Sequence, residues 1–210
     1  MTSRSAPPLL ATYRVQVHEK FTLADAEAIV PYLARLGISH LYTSPILRAH
    51  PGSTHGYDVA DPTMVNPEIG GESAFRSLVS TLHANGMGYL LDIVPNHMGT
   101  GESNPYWEDV LAHGRDSRYS AWFDIDWDAP DVTLQGRVLV PALGDDLDAV
   151  LERGELSIVP GEQGSAARVR YFDKSFPLST DSAATIGTEA IAGKGAEPRR
   201  RLREIFDRQH

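Results

Sequence analysis

Residues 90–98 read Leu90-Leu91-Asp92-Ile93-Val94-Pro95-Asn96-His97-Met98, an apolar run that opens after Gly88 and is closed by a proline. Such a run predicts a buried parallel strand, and Pro95 stops it because proline has no N–H to donate to a ladder. Asp92, Asn96 and His97 are then delivered at the strand's carboxyl end. Open α/β sheets and barrels bind ligands at that end, so the stretch is built like a site. A plainer reading stands beside this one, with Asp92 satisfying loop amides and His97 merely exposed.

Working outward, residues 72–84 carry Phe75, Leu78, Val79 and Leu82 as one apolar stripe ended by Asn85-Gly86, which predicts a helix. Residues 39–43 and 12–17 read as strands. Between them Leu23, Ala26, Ile29, Leu33 and Leu36 recur at helical spacing behind Thr22, whose hydroxyl can cap the helix while Asp25 answers the first amides. Pro31 is expected to kink this helix or to begin a second piece, and Gly37 to end it. The order strand, helix, strand, helix, strand calls for a parallel sheet with right-handed crossovers. Residues 44–71, dense in Pro, Gly, His, Tyr and Asp, are expected to be a long loop. The connections from helix to strand are minimal, whereas those leaving strand ends are long and polar, which places function at the carboxyl ends.

Beyond His97 the pattern changes. A short helix is expected over 104–113, an aromatic and aspartate-rich stretch over 119–128, and short strands at 138–140, 156–159 and 168–172. Together they make a mixed α+β insertion. Residues 179–196 read as a connection of small residues, and 199–210 as a basic amphipathic helix with Leu202, Ile205 and Phe206 on one side. The expected organisation is three strand-helix units in residues 1–98, an inserted domain in 99–178, and a linker and helix in 179–210. Trp107, Trp122 and Trp127 stand between two roles, core packing and stacking on a sugar ring.

Composition narrows the function. A net charge of −9 with a pI near 5.3 argues against nucleic acid or an anionic membrane as partner. The chain has no cysteine, which removes disulfides, thiolate metal sites and a cysteine nucleophile, and fits a reducing compartment. No stretch is long enough to span a bilayer, and the first ten residues lack the apolar core of a signal peptide. A cytoplasmic protein is expected.

The pair formed by Gly56-Tyr57-Asp58-Val59-Ala60-Asp61 and Asp92-Ile93-Val94-Pro95-Asn96-His97 resembles the opening of an α-amylase superfamily catalytic barrel. Within that superfamily, Ser44-Pro45-Ile46-Leu47 and residues 51–58, 66–72 and 117–127 resemble the maltooligosyltrehalose synthase family. The resemblance implies an α/β fold: the N-terminal part of a (β/α)8 TIM-type barrel, with the inserted domain after the third strand. It implies a (1→4)-α-D-glucan 1-α-D-glucosylmutase of trehalose biosynthesis, an isomerase that turns the reducing-end α-1,4 linkage of a maltooligosaccharide into an α,α-1,1 linkage. Retaining chemistry of this kind proceeds through a covalent glycosyl intermediate that must be kept from water.

By the same resemblance Tyr57 stacks on the glucose at the cleavage point, His97 donates to its 6-hydroxyl, and Asp92 holds the neighbouring polar side chains. Asn96 matches a calcium-binding position of many amylases, but one amide does not make a site of several oxygens. Neither metal nor cofactor is expected. His55, Asp58 and Asp61 are expected to organise the loop. The nucleophile, the acid/base and a further aspartate are implied on later barrel strands; Glu108, Asp109 and Asp124 match none of them. The chain alone is therefore expected to be inactive and to need the remainder of the barrel. Two other readings stay open, an α-glucan hydrolase of the same superfamily and a non-catalytic glucan-binding protein.

Overall fold

The computed structural model describes residues 7–161 and 167–179, together with Ser182 and Arg200. It divides into two compact units, Met1–Asn104 and Pro105–His210. In the first, strands β1 (Thr12–Val15) and β2 (His40–Thr43) are joined by helix α1 (Leu23–Arg35). A short hairpin, β3 (Leu47–Ala49) and β4 (Val59–Val65), precedes helix α2 (Gly71–Ala84) and strand β5 (Gly88–Leu91). β1, β2 and β5 form a parallel sheet in the order β1-β2-β5, with Arg14 beside Tyr42 and Tyr42 beside Leu90. Alternation along the strands sorts the two faces. Val15, Leu41 and Tyr89 join Leu23, Val30, Leu33, Leu78, Leu82 and Met87 in one core between the sheet and the two helices. Arg14, Tyr42 and Leu90 share the other face.

Local chemistry explains the helix ends. Thr22 Oγ1 accepts from the Asp25 amide at 3.4 Å and the Asp25 carboxylate accepts from the Thr22 amide at 2.8 Å, a complete capping box. Those Thr22 bonds hold the Asp25 carboxyl below the usual carboxylate range. α1 runs through Pro31 as one helix, so no second piece begins there, because Val30 and Leu33 on either side are fully buried and packing outweighs one lost bond. It closes in a Schellman turn, with Gly37 at φ 89° and the Ile38 amide reaching the Leu33 carbonyl at 3.1 Å. Glu27 ties the helices by accepting from Ser77 Oγ at 3.0 Å and Thr81 Oγ1 at 2.6 Å.

Two expectations for this unit need correction. Residues 44–71 are not a plain loop: β3 and β4 pair antiparallel through two register shifts, and a 3-10 turn, Pro67–Ile69, follows. The bulged ladder tolerates Pro62 in a way that regular pairing does not, and the Gly- and Pro-rich composition hid it. β5 ends at Leu91 rather than running to Pro95, and Leu91 and Ile93 are 40% and 61% exposed. β5 is the edge of its sheet, and among the described residues no strand covers its outer side.

The second unit holds helices α3 (Pro105–His113) and α4 (Leu147–Arg153) and an antiparallel sheet, β6 (Leu156–Val159), β7 (Arg168–Tyr171) and β8 (Lys174–Pro177). Its core gathers Val150, Leu151, Leu156, Ile158, Val169, Tyr171 and Leu178. Arg168 pairs bidentately with Glu108, fastening β7 to α3. The strand expected at 138–140 does not form; Leu139 is 72% exposed, and β-branched residues without a pairing partner do not make a strand. The connection read over 179–196 and the helix over 199–210 lie outside the described residues, apart from Ser179, Ser182 and Arg200. Among the described residues no helix is long and apolar enough to cross a membrane.

Leu33 is fully buried between α1 and the sheet. Leu33→Ala is expected to lower the unfolding free energy by about 2–5 kcal/mol in urea titration. A loss below about 1 kcal/mol would show that this core does not hold the unit.

Candidate functional site

At the carboxyl ends of β1, β2 and β5 a polar cluster forms on the face away from the helices. Asp92 follows β5 by one residue, its amide still reaching the Thr43 carbonyl at 3.4 Å. Its Oδ2 accepts from Tyr57 Oη at 2.6 Å and from Tyr42 Oη at 3.2 Å. Arg14 Nη2 donates to Tyr57 Oη at 3.1 Å, and the guanidinium carbon lies 5.5 Å from the centre of the Tyr42 ring. One anion, two phenols and one cation are thus joined, although they come from four separate segments. The bond to Asp92 raises the Tyr57 hydroxyl above its ordinary pKa, with Arg14 acting in the opposite sense. The bond to Tyr57 in turn raises the Arg14 guanidinium.

The loop carrying Tyr57 is fixed at several points. Gln16, the residue after β1, donates from Nε2 to the Thr54 carbonyl at 2.7 Å, so the loop is gripped there as well as through Arg14. The Tyr57 amide donates to His55 Nδ1 at 3.0 Å. That nitrogen is therefore an acceptor, and the neutral ring carries its proton on Nε2. Ser53 links the Gly56 amide to the Asp58 carboxylate. Gly56 sits at φ 77°, and a Cβ there would collide with the Pro45 carbonyl oxygen, so no other residue fits.

Of the residues picked from the sequence, Asp92 and Tyr57 are brought into direct contact, and His55 and Asp58 lie in the supporting loop. Asn96 and His97 are not drawn into the cluster. Both are exposed, and Asn96 Oδ1 lies 3.1 Å from His97 Nδ1. Asp61 is buried in β4, where it accepts from the Thr63 amide and hydroxyl at 2.9 and 2.6 Å and shapes the strand rather than a site. Sequence reasoning missed Arg14 and Tyr42. Alternation with a parallel register would have placed both on the face of Leu90 and Asp92. It also missed Asn104, fully buried, whose amide donates to the Gly99 carbonyl at 2.9 Å while the Gly99 amide reaches Val59.

In the second unit Trp107 is buried against Phe123 at 5.0 Å, whereas Trp122 is half-exposed between Tyr106 and Tyr119. Trp127 lies 6.0 Å from the Arg115 guanidinium. Among the described residues no three His, Asp or Glu side chains gather as a metal site would require. The first unit's cluster offers a fixed aromatic ring beside hydroxyl, carboxylate and guanidinium groups. That combination suits a neutral polyol, with the ring against C–H groups and the polar atoms toward hydroxyls.

A parallel strand-helix sheet with a polar cluster at its carboxyl end is the arrangement by which α/β folds hold ligands. The family described as "Alpha amylase, catalytic domain" matches residues 27–143, more than half of the chain, and the chain belongs to this family of TIM-barrel enzymes. It is 51% identical over 210 residues to a Mycobacterium tuberculosis (strain H37Rv) protein named as a maltooligosyl trehalose synthase, covering 97% of this chain and 24% of the relative. The solved maltooligosyltrehalose synthase of Arthrobacter ramosus matches with a TM-score of 0.76 and 39% identity, covering 96% of this chain and 23% of that one. An intracellular maltogenic amylase of Bacillus subtilis is 44% identical over 104 residues, 48% of this chain and 17% of the relative. The chain spans about a quarter of the length of the synthases it matches.

The Tyr57 phenol is expected to titrate above the ordinary tyrosine value of 10, and Asp92→Asn to bring its midpoint back toward that value. The protonated phenol is the form that Asp92 holds. The stabilisation is thus complete below the ordinary value and is lost as pH rises through the raised one. The difference between tyrosinate absorbance titrations of the parent and Tyr57→Phe isolates this group. A midpoint at or below the ordinary value would refute the bond.

Proposed function

We propose that this chain is the N-terminal part of a maltooligosyltrehalose synthase, a (1→4)-α-D-glucan 1-α-D-glucosylmutase. The observation that carries the reading is the joining of Tyr57 to Asp92 at the carboxyl end of the parallel sheet, in a chain 51% identical over 97% of its length to a relative so named. The ligand is a maltooligosaccharide. Tyr57 offers its ring to the C–H side of the terminal glucose, held by Asp92 at the phenol and by His55 at the amide. His97, exposed and bonded to Asn96, is free to turn its ring toward the 6-hydroxyl. Asn96 positions that ring, and no calcium is invoked.

The groups that break and form the glycosidic bond lie outside this chain. The nucleophile and the acid/base of a retaining mechanism stand close together across the reacting sugar, on barrel strands beyond the three described. Residues 1–98 supply the first strand-helix units, 99–178 an inserted domain and 179–210 the link onward. The 210-residue chain alone is inactive, and the remainder of the barrel is needed for activity. The lack of cysteine supports a cytoplasmic setting.

The test is to read the gene through the His210 codon and to incubate the polypeptide of the complete reading frame with maltopentaose. Reducing ends are expected to fall while total sugar stays constant, and the 210-residue chain is expected to change neither. Similarity to a maltogenic amylase keeps a hydrolase as the second reading, and rising reducing ends would establish it instead. Turnover by residues 1–210 alone would overturn the assignment of the catalytic carboxylates.

A further inference from the structure

We propose that Arg14 is a positioning residue that sets the Tyr57 ring for the sugar, acting through the phenol oxygen and not on the ligand. The inference rests on the reading of Tyr57 as the sugar-facing ring. A phenol oxygen has one proton to give and lone pairs to accept with. Arg14 Nη2, 3.1 Å away, fills an acceptor position of Tyr57 Oη, and the phenol proton then goes to Asp92 Oδ2 at 2.6 Å. With its tip fixed from two directions and its amide held by His55 at 3.0 Å, the ring is restrained from pivoting, while the residue stays half-exposed with the His55 ring 6.0 Å away.

Arg14 is itself aligned by its neighbours. Its register partner on β2 is Tyr42, whose ring lies 5.5 Å from the guanidinium carbon and whose hydroxyl donates to the same Asp92 oxygen at 3.2 Å. The contacts close a cycle, Arg14 to Tyr57 to Asp92 to Tyr42 and back. A planar guanidinium can lie over one ring and donate in its plane to another hydroxyl; a lysine ammonium cannot do both. The identity of residue 14, beyond its charge, therefore matters.

The experiment is a double-mutant cycle on the polypeptide of the complete reading frame with maltopentaose, each variant first checked for a cooperative thermal transition. Arg14→Met is expected to lower kcat/KM about tenfold, the scale of a charge-assisted hydrogen bond, and Tyr57→Phe at least as much. The double variant should be no worse than Tyr57→Phe alone, because Arg14 acts through the missing hydroxyl. Arg14→Met should also move the Tyr57 titration midpoint upward, which a residue with only a packing role would not do. Arg14→Lys, which keeps the charge and gives a second route if Arg14→Met unfolds, should recover less than half of the loss.

Additive losses, an unmoved titration or full activity in Arg14→Lys would overturn the role of Arg14 while leaving the glucan reading intact. A parent polypeptide that neither consumes nor releases reducing ends would overturn both.

Discussion

The parallel register of β1, β2 and β5 is the constraint on which the candidate site depends. Each strand is only four residues long, and together they set Arg14, Tyr42 and Leu90 in one row, with Asp92 two residues further along β5's path. A shift of one residue in any strand would turn its whole polar set onto the helix face and its apolar set away from it. The burial of Val15, Leu41 and Tyr89 against α1 and α2 forbids that shift. The same packing that stabilises the unit thereby aims its polar residues. Tyr89 shows the opposite environment on the helix face: bonded to Thr43 and edge-on to Phe75 at 5.6 Å, its phenol is pushed up to about 12 by burial.

Within the cluster, Arg14 and Asp92 are joined through a phenol. A direct ion pair at this position would neutralise both charges but leave no aromatic group between them. Inserting Tyr57 gives each charge a hydrogen-bonding partner and fixes a flat apolar surface at the same point. The arrangement works because the loop around Tyr57 is itself rigid. Gly56, at positive φ and without a Cβ, can approach the Pro45 carbonyl, and Gln16, just past β1, holds Thr54.

What could be read from the sequence is local chemistry. The Thr22–Asp25 cap, the turn at Gly37 and the stripes of both helices depend on residues within one or two turns of each other; the cap and the turn are found as read, and the stripes are found except that Leu36 is the exposed C-cap of α1 and Val79 lies outside the core. The β3–β4 hairpin was illegible because its pairing is bulged and carries Pro62, so no alternation announces it. The end of β5 was misplaced for a different reason: the apolar run continues to Val94, but a strand's length is set by its neighbour, and β2 stops at Thr43. Tyr57 and Asp92, 35 residues apart, were linked only through resemblance to a family. Arg14 and Tyr42 were missed because their significance arises from cross-strand register, which the residues in isolation do not express.

The chemistry of the cluster favours orientation over bond breaking. Asp92 Oδ2 already accepts two phenol protons, so this oxygen is committed to holding side chains. A retaining nucleophile instead needs a carboxylate oxygen directed at the sugar carbon, with an acid close on the other side of the bond. Among the other carboxylates of the first unit, Asp58 is tied to Ser53, Asp61 to Thr63 and Glu68 to the Gly52 amide, all within the β3–β4 region. Asp58 and Glu68 hold the loop that presents Tyr57, and Asp61 shapes β4. Carboxylates engaged in this way make the cluster a rigid place for a ring to rest.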